Sequence, residues 1–155
     1  MKKKKEKNTS PTIENRQARF KFSISETFEA GLELKGSEVK SIRASQISLQ
    51  EGFAFSKKGE LFLDGVHIAP YEQTGTHDQH PQIRKIRLLL HKREIIKISQ
   101  KLDQEGLALI PLKIYFHHQK AKILLGLGKG KKLFDKRQDA RKNEIEKSLR
   151  KNFKL

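Results

Sequence analysis

The apolar positions change their spacing several times along the chain, and each change marks an element. The stretch "FKFSISETFEAGLEL" places Phe20, Phe22 and Ile24, then Phe28, Ala30, Leu32 and Leu34, at every second position. A period of two puts these side chains on one face of a half-buried strand, with a bend expected near Ser25. In "GSEVKSIRAS" the period lengthens. Val39 and Ile42 share a helical face, Ser37 is a candidate cap and Glu38 suits a helix N-terminus. "GFAFSKKGELFLDGVHI" predicts two strands around a Lys-Lys-Gly turn and a third after Gly65. Pro70, Gly75 and Pro81 mark "PYEQTGTHDQHPQ" as a loop. The clearest helix is "LLLHKREIIKISQKLDQEG". Ile95, Ile98 and Leu102 stand at i, i+3 and i+7, and Gly106 sits where a C-terminal cap belongs. "LALIPLKIYFHHQKAKILLGLG" predicts a hairpin turning around Gln119, with Pro111 marking an edge or a bulge.

About six strands and two helices, with no internal repeat, predict a mainly β domain: a small barrel of oligonucleotide-binding type with helical insertions. The domain spans residues 13–130. Residues 1–12 are Lys-rich and of low complexity, and disorder is expected there. The glycines of Gly126–Gly130 read as a flexible exit into a basic tail, residues 131–155. In that tail Ile145, Leu149 and Phe153 form one narrow stripe at i, i+4 and i+8. Such a helix is marginal alone in water, so a tail mobile when free and helical against RNA is expected. A helix packed on the body is the competing reading.

Charge sharpens the picture. The 155 residues hold 34 Lys and Arg against 18 Asp and Glu, a net charge of +16. Residues 1–21 carry net +6, residues 22–128 only +3 and residues 129–155 net +7. A nearly balanced body with basic ends is the footprint of a polyanion binder, and nucleic acid is the leading partner. A membrane surface fits less well, because the basic ends lack a strong Trp/Phe/Leu face. A basic tail kept for solubility is the plainest alternative. The chain has no Cys, which excludes disulfides and thiolate chemistry and agrees with a cytoplasmic location. No apolar run follows the basic start, so no export signal is read, and no run is long enough to cross a membrane.

Catalytic chemistry finds no foothold. His77, Asp78 and His80 are close in sequence, but no zinc spacing is present, and solvated loop histidines are expected. There is no GxSxG, and Glu29, Glu33 and Glu38 read as surface carboxylates rather than an acid/base pair. "GLGKGKK" lacks the GxxxxGK[ST] pattern of a phosphate loop. No enzyme activity, metal or cofactor is expected. What remains is a set of cations on or beside the body: Arg16, Arg19, Arg43, Arg84, Lys85, Arg87, Lys92 and Arg93. Arginine and lysine neutralise phosphates, and arginine also stacks on bases.

The stretches "ENRQAR", "ETFEAGLELKGSEVKSIRA", "HIAPYEQ", "LLLHKREI", "LIPLKIYF" and "LGLGKGKKLFDKR" together resemble the SsrA-binding proteins, the small protein B family. The resemblance runs from about Ile13 to Arg141. It implies a closed antiparallel barrel of oligonucleotide-binding character with two or three helices and a flexible basic C-terminal tail. It also implies a bacterial, cofactor-free factor that binds transfer-messenger RNA (tmRNA) through its tRNA-like domain and acts in trans-translation on stalled ribosomes. The tail, helical when bound, would reach the decoding centre and the mRNA channel. Elongation factor Tu is a further candidate partner, and a monomer is expected. The family's RNA-binding Asn falls on Asn15, its Glu on Glu29 and its apolar contact on Leu89. Lys40 and Arg43 fall in its helix motif. Arg16 and Arg19, and Arg84, Lys85 and Arg87 before the "LLL" run, complete the expected tmRNA-binding set. The tail motif covers Lys129, Lys131, Lys132, Asp135, Lys136 and Arg137, with Leu133 and Phe134 as register anchors and Asp135 as a helix cap. One departure stands out. Where the family has R-A-G-K, this chain has Arg43-Ala44-Ser45-Gln46, one cation and one glycine fewer.

Overall fold

A computed structural model of the chain describes residues 10–71, 80–104 and 106–153. His77 and Asp78 lie outside the described residues, as does residues 1–9 of the expected disordered start. The elements run β1 (Ile13–Glu14), α1 (Ala18–Lys21), β2 (Phe22–Leu32), α2 (Gly36–Arg43), β3 (Ile47–Ser48), β4 (Phe53–Lys57), β5 (Glu60–Asp64), β6 (His67–Ile68), β7 (Ile86–Leu89), α3 (Lys92–Gln104), β8 (Ala108–His117), β9 (Lys120–Gly130) and α4 (Leu133–Phe153). The protein is thus mainly β with several helices.

All strand pairs are antiparallel. Seven strands are ordered β1-β8-β4-β5-β7-β2-β9, and β8 also pairs with β9; β3 and β6 form a separate two-stranded ribbon. The turns follow from backbone chemistry. Lys58 and Gly59 (φ 50° and 75°) join β4 to β5, and His118 and Gln119 (φ 46° and 65°) join β8 to β9. Two consecutive left-handed residues make the turn whose twist matches the flanking strands. The expected bend near Ser25 is an irregularity between Ile24 and Glu26, and Pro111 stands at a second one, between Pro111 and Lys113.

Alternation sends Leu61, Leu63, Ile86, Leu88, Ile114, Ile123, Leu125 and Leu127 into one core, with Ile42 of α2 and Ile98 of α3 closing over it. Ile95 and Leu102 pack beside Ile98, as the helical spacing predicts. Glu26 on β2 accepts hydrogen bonds from Lys101 and pairs with Lys97 at 3.4 Å, tying α3 to the sheet. A smaller cluster of Ala18, Ile110 and Leu112 lies under α1. This short helix differs from the expected strand start. Phe20 belongs to α1 and is exposed, and the strand begins at Phe22.

Three further expectations give way. The N-cap of α2 is Lys35, whose N–H donates to Glu38 Oε1 at 2.9 Å, while Ser37 lies inside the helix and bonds His80. His80 is not solvated. It is buried, with Nε2 at 3.2 and 3.1 Å from the carbonyls of Ile68 and Ala69. Carbonyls only accept, so Nε2 carries the proton and Nδ1 accepts from the Ser37 hydroxyl at 2.8 Å. Finally, Gly126–Gly130 is no flexible exit. Gly126 and Gly128 are buried inside β9, where they pair with Thr27 and Ile24. A Cβ on Gly128 would stand 2.1 Å from the Ser23 carbonyl oxygen, so only glycine lets the two backbones approach this closely. A Cβ on Gly130 would meet nothing within 4 Å.

Gly128→Ala is therefore expected to lower stability by about 1–3 kcal/mol or more, the range for forcing extra volume into a packed site. Gly130→Ala should stay within about 0.5 kcal/mol of the parent, as for a surface change. Denaturant midpoints of the two variants measure the difference.

Candidate nucleic-acid interface

Strand alternation builds a row of outward-facing groups across β7, β2, β9 and β8. Glu29 is exposed between Phe28, which packs on the core, and buried Ala30. It stands opposite Leu124, which stands opposite Lys113. Two residues along, Gly31 pairs with both Leu89 and Lys122, and Lys122 with Tyr115. The core side of β7 is Leu88, whereas Leu89 is 49% exposed, so it is a surface leucine and not a core residue. A Cβ on Gly31 would lie 3.2 Å from Leu89 Cβ. The glycine leaves the floor open beneath that side chain.

The result is a groove of about 580 Å³ that includes Glu29, Gly31, Arg87, Leu89, His91 and Lys122. Arg87 Nη2 reaches Glu60 at 2.9 Å, but both side chains are near half exposed. An exposed ion pair contributes at most about 1 kcal/mol, so Arg87 can exchange its carboxylate for a phosphate. The Tyr115 hydroxyl donates to Glu29 Oε2. Burial, then this hydrogen bond and the carboxylate's charge, push the Tyr115 hydroxyl up to about 12. Lys113 Nζ lies 5.5 Å from the centre of the Tyr115 ring, within cation–π range.

A second groove, about 390 Å³, continues the row past β8. It is lined by Glu14, Asn15, Arg16, Arg19, Leu112, Lys113 and Leu124. Leu124 and Lys113 adjoin Glu29 through the register, so the two grooves lie on one outer face. A third concavity, about 340 Å³, puts Arg16, Arg19 and Phe20 of the α1 region opposite Lys131, Asp139 and Lys142 where the tail begins.

Not every expected residue is free to meet a ligand. Asn15 is buried, with its amide donating to the carbonyls of Leu49 at 3.3 Å and Pro111 at 3.0 Å. It latches β1 to the Pro111 irregularity. Only its Oδ1 lacks a protein partner. Arg84 is spent on structure. Its guanidinium donates to both oxygens of Glu38 (2.6–3.1 Å) and to the carbonyls of Glu33 and Lys85. Glu38 is fully buried, which overturns its reading as a surface carboxylate. Arg43 lies 4.7 Å from the centre of the Phe116 ring and donates to the Gln119 carbonyl at 3.2 Å. Phe116 faces the core and Tyr115 the outside, so Arg43 stands on the far side of β8 from Glu29. Lys40 lies 5.6 Å from the ring centre of Tyr71, and Lys85 lies 5.6 Å from that of Phe55.

Among the tail positions, Lys129 belongs to β9 opposite Ser23 and is exposed. The Lys131 N–H donates to the Lys21 carbonyl at 2.8 Å, and its ammonium pairs with Asp139. Lys132 and Arg137 are exposed and Lys136 half-buried. The side chains of Leu133, Phe134 and Asp135 lie outside the description, and so do their anchoring and capping roles. Along α4, Ile145 and Leu149 are 60% and 50% exposed, so this apolar stripe is uncovered among the described residues, while Asn143 and Glu146 on another side of the helix line the concavity with Arg16 and Arg19. Among the described residues no group of His, Asp and Glu could hold a metal ion, and no helix is long and apolar enough to cross a membrane.

Sequence reasoning missed Tyr115, Lys122, Lys113 and Gly31. The signal was present: in "LKIYFHH" and "QKAKILL" the outward set of each strand is Lys113, Tyr115 and Lys122, Leu124.

Two predictions separate structural from interfacial roles. Arg84→Ala leaves Glu38 as an uncompensated buried charge and should cost about 3–5 kcal/mol of stability. Thermal melts should show that loss, while RNA binding by the fraction still folded stays near parental. The second concerns alkaline pH. The Tyr115 hydroxyl is raised above its ordinary value of 10.0, so its contribution to stability is complete below about pH 10 and is lost as pH rises through about 12. Melting temperature measured from pH 9 upward should therefore fall less steeply for Tyr115→Phe than for the parent.

Comparison with known proteins identifies the family. The family model "SmpB protein" matches residues 12–155. An SsrA-binding protein of Synechococcus elongatus is 46% identical over 141 residues, covering 91% of this chain and 92% of the relative. One from Staphylococcus haemolyticus is 43% identical over 157 residues, covering 99% and 100%. A solved structure described as "tmRNA-SmpB: a journey to the center of the bacterial ribosome" superposes with a TM-score of 0.67 at 49% identity, over 80% of this chain and 87% of that one. The chain belongs to the SmpB family of SsrA-binding proteins.

Proposed function

We propose that this protein binds tmRNA through the outer face of its sheet and brings it to stalled ribosomes, where its basic tail enters the space left by the missing message. The observation that carries this reading is the row of grooves itself. Glu29 and exposed Leu89 stand beside Arg87 and Lys122, and the row continues to Arg16 and Arg19 at the base of the tail. RNA recognition of this kind needs acceptors for base edges or 2′-hydroxyls, an apolar surface for an unstacked base, and cations for the backbone. All three kinds of group occur here on rigid strands.

The strand pairings support a closed barrel of oligonucleotide-binding character. The order β8-β4-β5-β7-β2-β9 returns to β8, with β4 and β8 meeting at one pair, Ala54 and Leu109. The work is divided by charge. The body at residues 22–128 is nearly balanced and offers shape and hydrogen bonds, while residues 129–155 carry net +7. That excess and the exposed Ile145 and Leu149 suit an RNA-lined channel, where phosphate contacts offset the cost of ordering. Lys129, Lys131, Lys132, Lys136 and Arg137 are the tail cations nearest the body.

A gel-shift with tmRNA, paired with an in vitro tagging assay on stalled ribosomes, tests both halves. Truncation before Lys131 should leave tmRNA binding largely intact and abolish tagging. Glu29→Ala should weaken tmRNA binding by about 1–3 kcal/mol and reduce discrimination against an unrelated hairpin RNA. Equal loss of binding and tagging on truncation would make the tail part of the tmRNA surface. Undiminished binding and discrimination in Glu29→Ala would remove Glu29 from the recognition surface, and a parent protein that bound the hairpin RNA as tightly as tmRNA would be a general RNA binder.

A further inference from the structure

Glu29 projects from the middle of an exposed strand face, yet its carboxylate is not loose. Tyr115 lies two strands away, on β8, with β9 between them. Adjacent strands are spaced about 4.8 Å apart, and only a long side chain lying across β9 can bridge the two. The tyrosine does so. Its hydroxyl ends on Glu29 Oε2, its ring carries Lys113 on one side, and it is half-buried while Glu29 is exposed. Leu124 and Lys122 of the strand it crosses are half-buried in turn.

We infer that Tyr115 is a positioning residue for RNA recognition, holding the Glu29 carboxylate over the groove so that its free oxygen meets a hydrogen-bond donor of the bound RNA. The inference rests on the reading of this face as the tmRNA interface. The chemistry explains why a fixed carboxylate matters more here than a fixed cation. A carboxylate repels phosphate, so it adds nothing to non-specific binding. It rewards only an RNA that presents an exocyclic amine, an imino N–H or a 2′-hydroxyl at that point. A free glutamate could swing away from a wrong RNA and avoid the penalty. Tied to Tyr115 it cannot, and the discrimination is built into the free protein. The tie also removes part of the ordering cost that a rotamer-rich side chain incurs on binding. The other charged side chains lining the groove are Arg87 and Lys122 together with Glu60 and Glu94.

The experiment is a double-mutant cycle in the full chain. Affinity for tmRNA and for an unrelated hairpin RNA is measured for the parent, Tyr115→Phe, Glu29→Ala and the double variant. Tyr115→Phe keeps the ring and the Lys113 contact and loses only the hydroxyl. It should weaken tmRNA binding roughly five- to tenfold while leaving the hairpin RNA within about twofold, the size expected for re-ordering one side chain and losing its pinned geometry. In the Glu29→Ala background the same change should have no further effect. A loss of equal size in both backgrounds would overturn the inference, because Tyr115 would then act on RNA or fold independently of Glu29. An unchanged tmRNA affinity in Tyr115→Phe, with Glu29→Ala impaired, would overturn it too while leaving the interface reading standing. If Glu29→Ala itself binds and discriminates as the parent does, both readings fall together. Melting curves of the four proteins keep a folding defect from passing as a binding one.

Discussion

Strand β9 is the constraint on which the remaining structure depends, because it pairs along its length with β2 on one side and β8 on the other. A side-chain period of two makes register decisive: a slip of one residue would turn every outward group inward. Register along β9 is what sets Glu29, Leu124 and Lys113 in one line and Gly31, Lys122 and Tyr115 in the next. It holds because the inward set, Ile123, Leu125 and Leu127, is fully buried. The two irregularities, at Ile24/Glu26 and Pro111/Lys113, lie beside this stretch and let it bend without losing phase. Gly128 belongs to the same device, since the Ser23 backbone passes where its side chain would be. The site and the core are two sides of one set of hydrogen bonds.

Formal charge says little about which cations are available to a ligand; their surroundings decide it. Arg84 and Arg87 are three residues apart and both precede the exposed Leu89. Arg84 makes a forked contact with a carboxylate that has no access to water. Removing it would strand Glu38, so its donors are not exchangeable. Arg87 faces two exposed carboxylates, Glu60 and Glu33 at 2.9 and 3.9 Å, which water and salt already screen. Asn15 follows the same logic. Its amide donates to the carbonyls of Leu49, which also accepts from the Gly52 N–H, and of Pro111, and a buried polar group left unpaired costs about 1–3 kcal/mol. A sequence motif marks such residues as important without saying whether they serve the ligand or the fold.

What the sequence made legible follows physical range. Helix α3 and the β8–β9 hairpin are governed by local periodicity and by a turn; the hairpin stands where the pattern placed it, whereas α3 begins at Lys92, because Leu88 and Leu89 at the head of the expected helix pair in strand β7. Strands β1, β3 and β6 are two residues long and have no period to read; each exists only because a distant partner is present. Helix α1 interrupts an alternation that Phe20 seemed to continue, since Ala18 is drawn into the cluster with Ile110 and Leu112. His80 and Glu38 were read from composition as solvent-facing, because a polar loop and an acidic helix start usually are. Their burial depends on Ser37 and Arg84, 43 and 46 residues away. Ser45 shows how a family departure can be tolerated. It holds φ 59° just after α2, a conformation that costs glycine nothing and serine modestly, and Gln46 fixes the chain there through Ser41 and Ala69. Within the site, the motifs identified Glu29 and Leu89 by resemblance, whereas Tyr115 becomes visible only once the register is known.

Body and tail place opposite demands on order. The body must discriminate, and discrimination by hydrogen bonds needs groups fixed before the ligand arrives, as Glu29 is by Tyr115. Helix α4 has no such requirement. Beyond Lys131 and Asp139 it leaves Ile145 and Leu149 without cover, and a polar helix of this kind gains little from its own sequence. Lysine and arginine recognise phosphate wherever a backbone presents it, so on the proposed reading the tail needs adaptability rather than precision. The third concavity, where Arg16 and Arg19 face Lys131 and Lys142, is the place where the two regimes meet. Asp139 and Glu146 line it too, and Asp139 already pairs with Lys131, so the junction is held by charges of both signs and ties the first turns of the tail to the α1 region of the body.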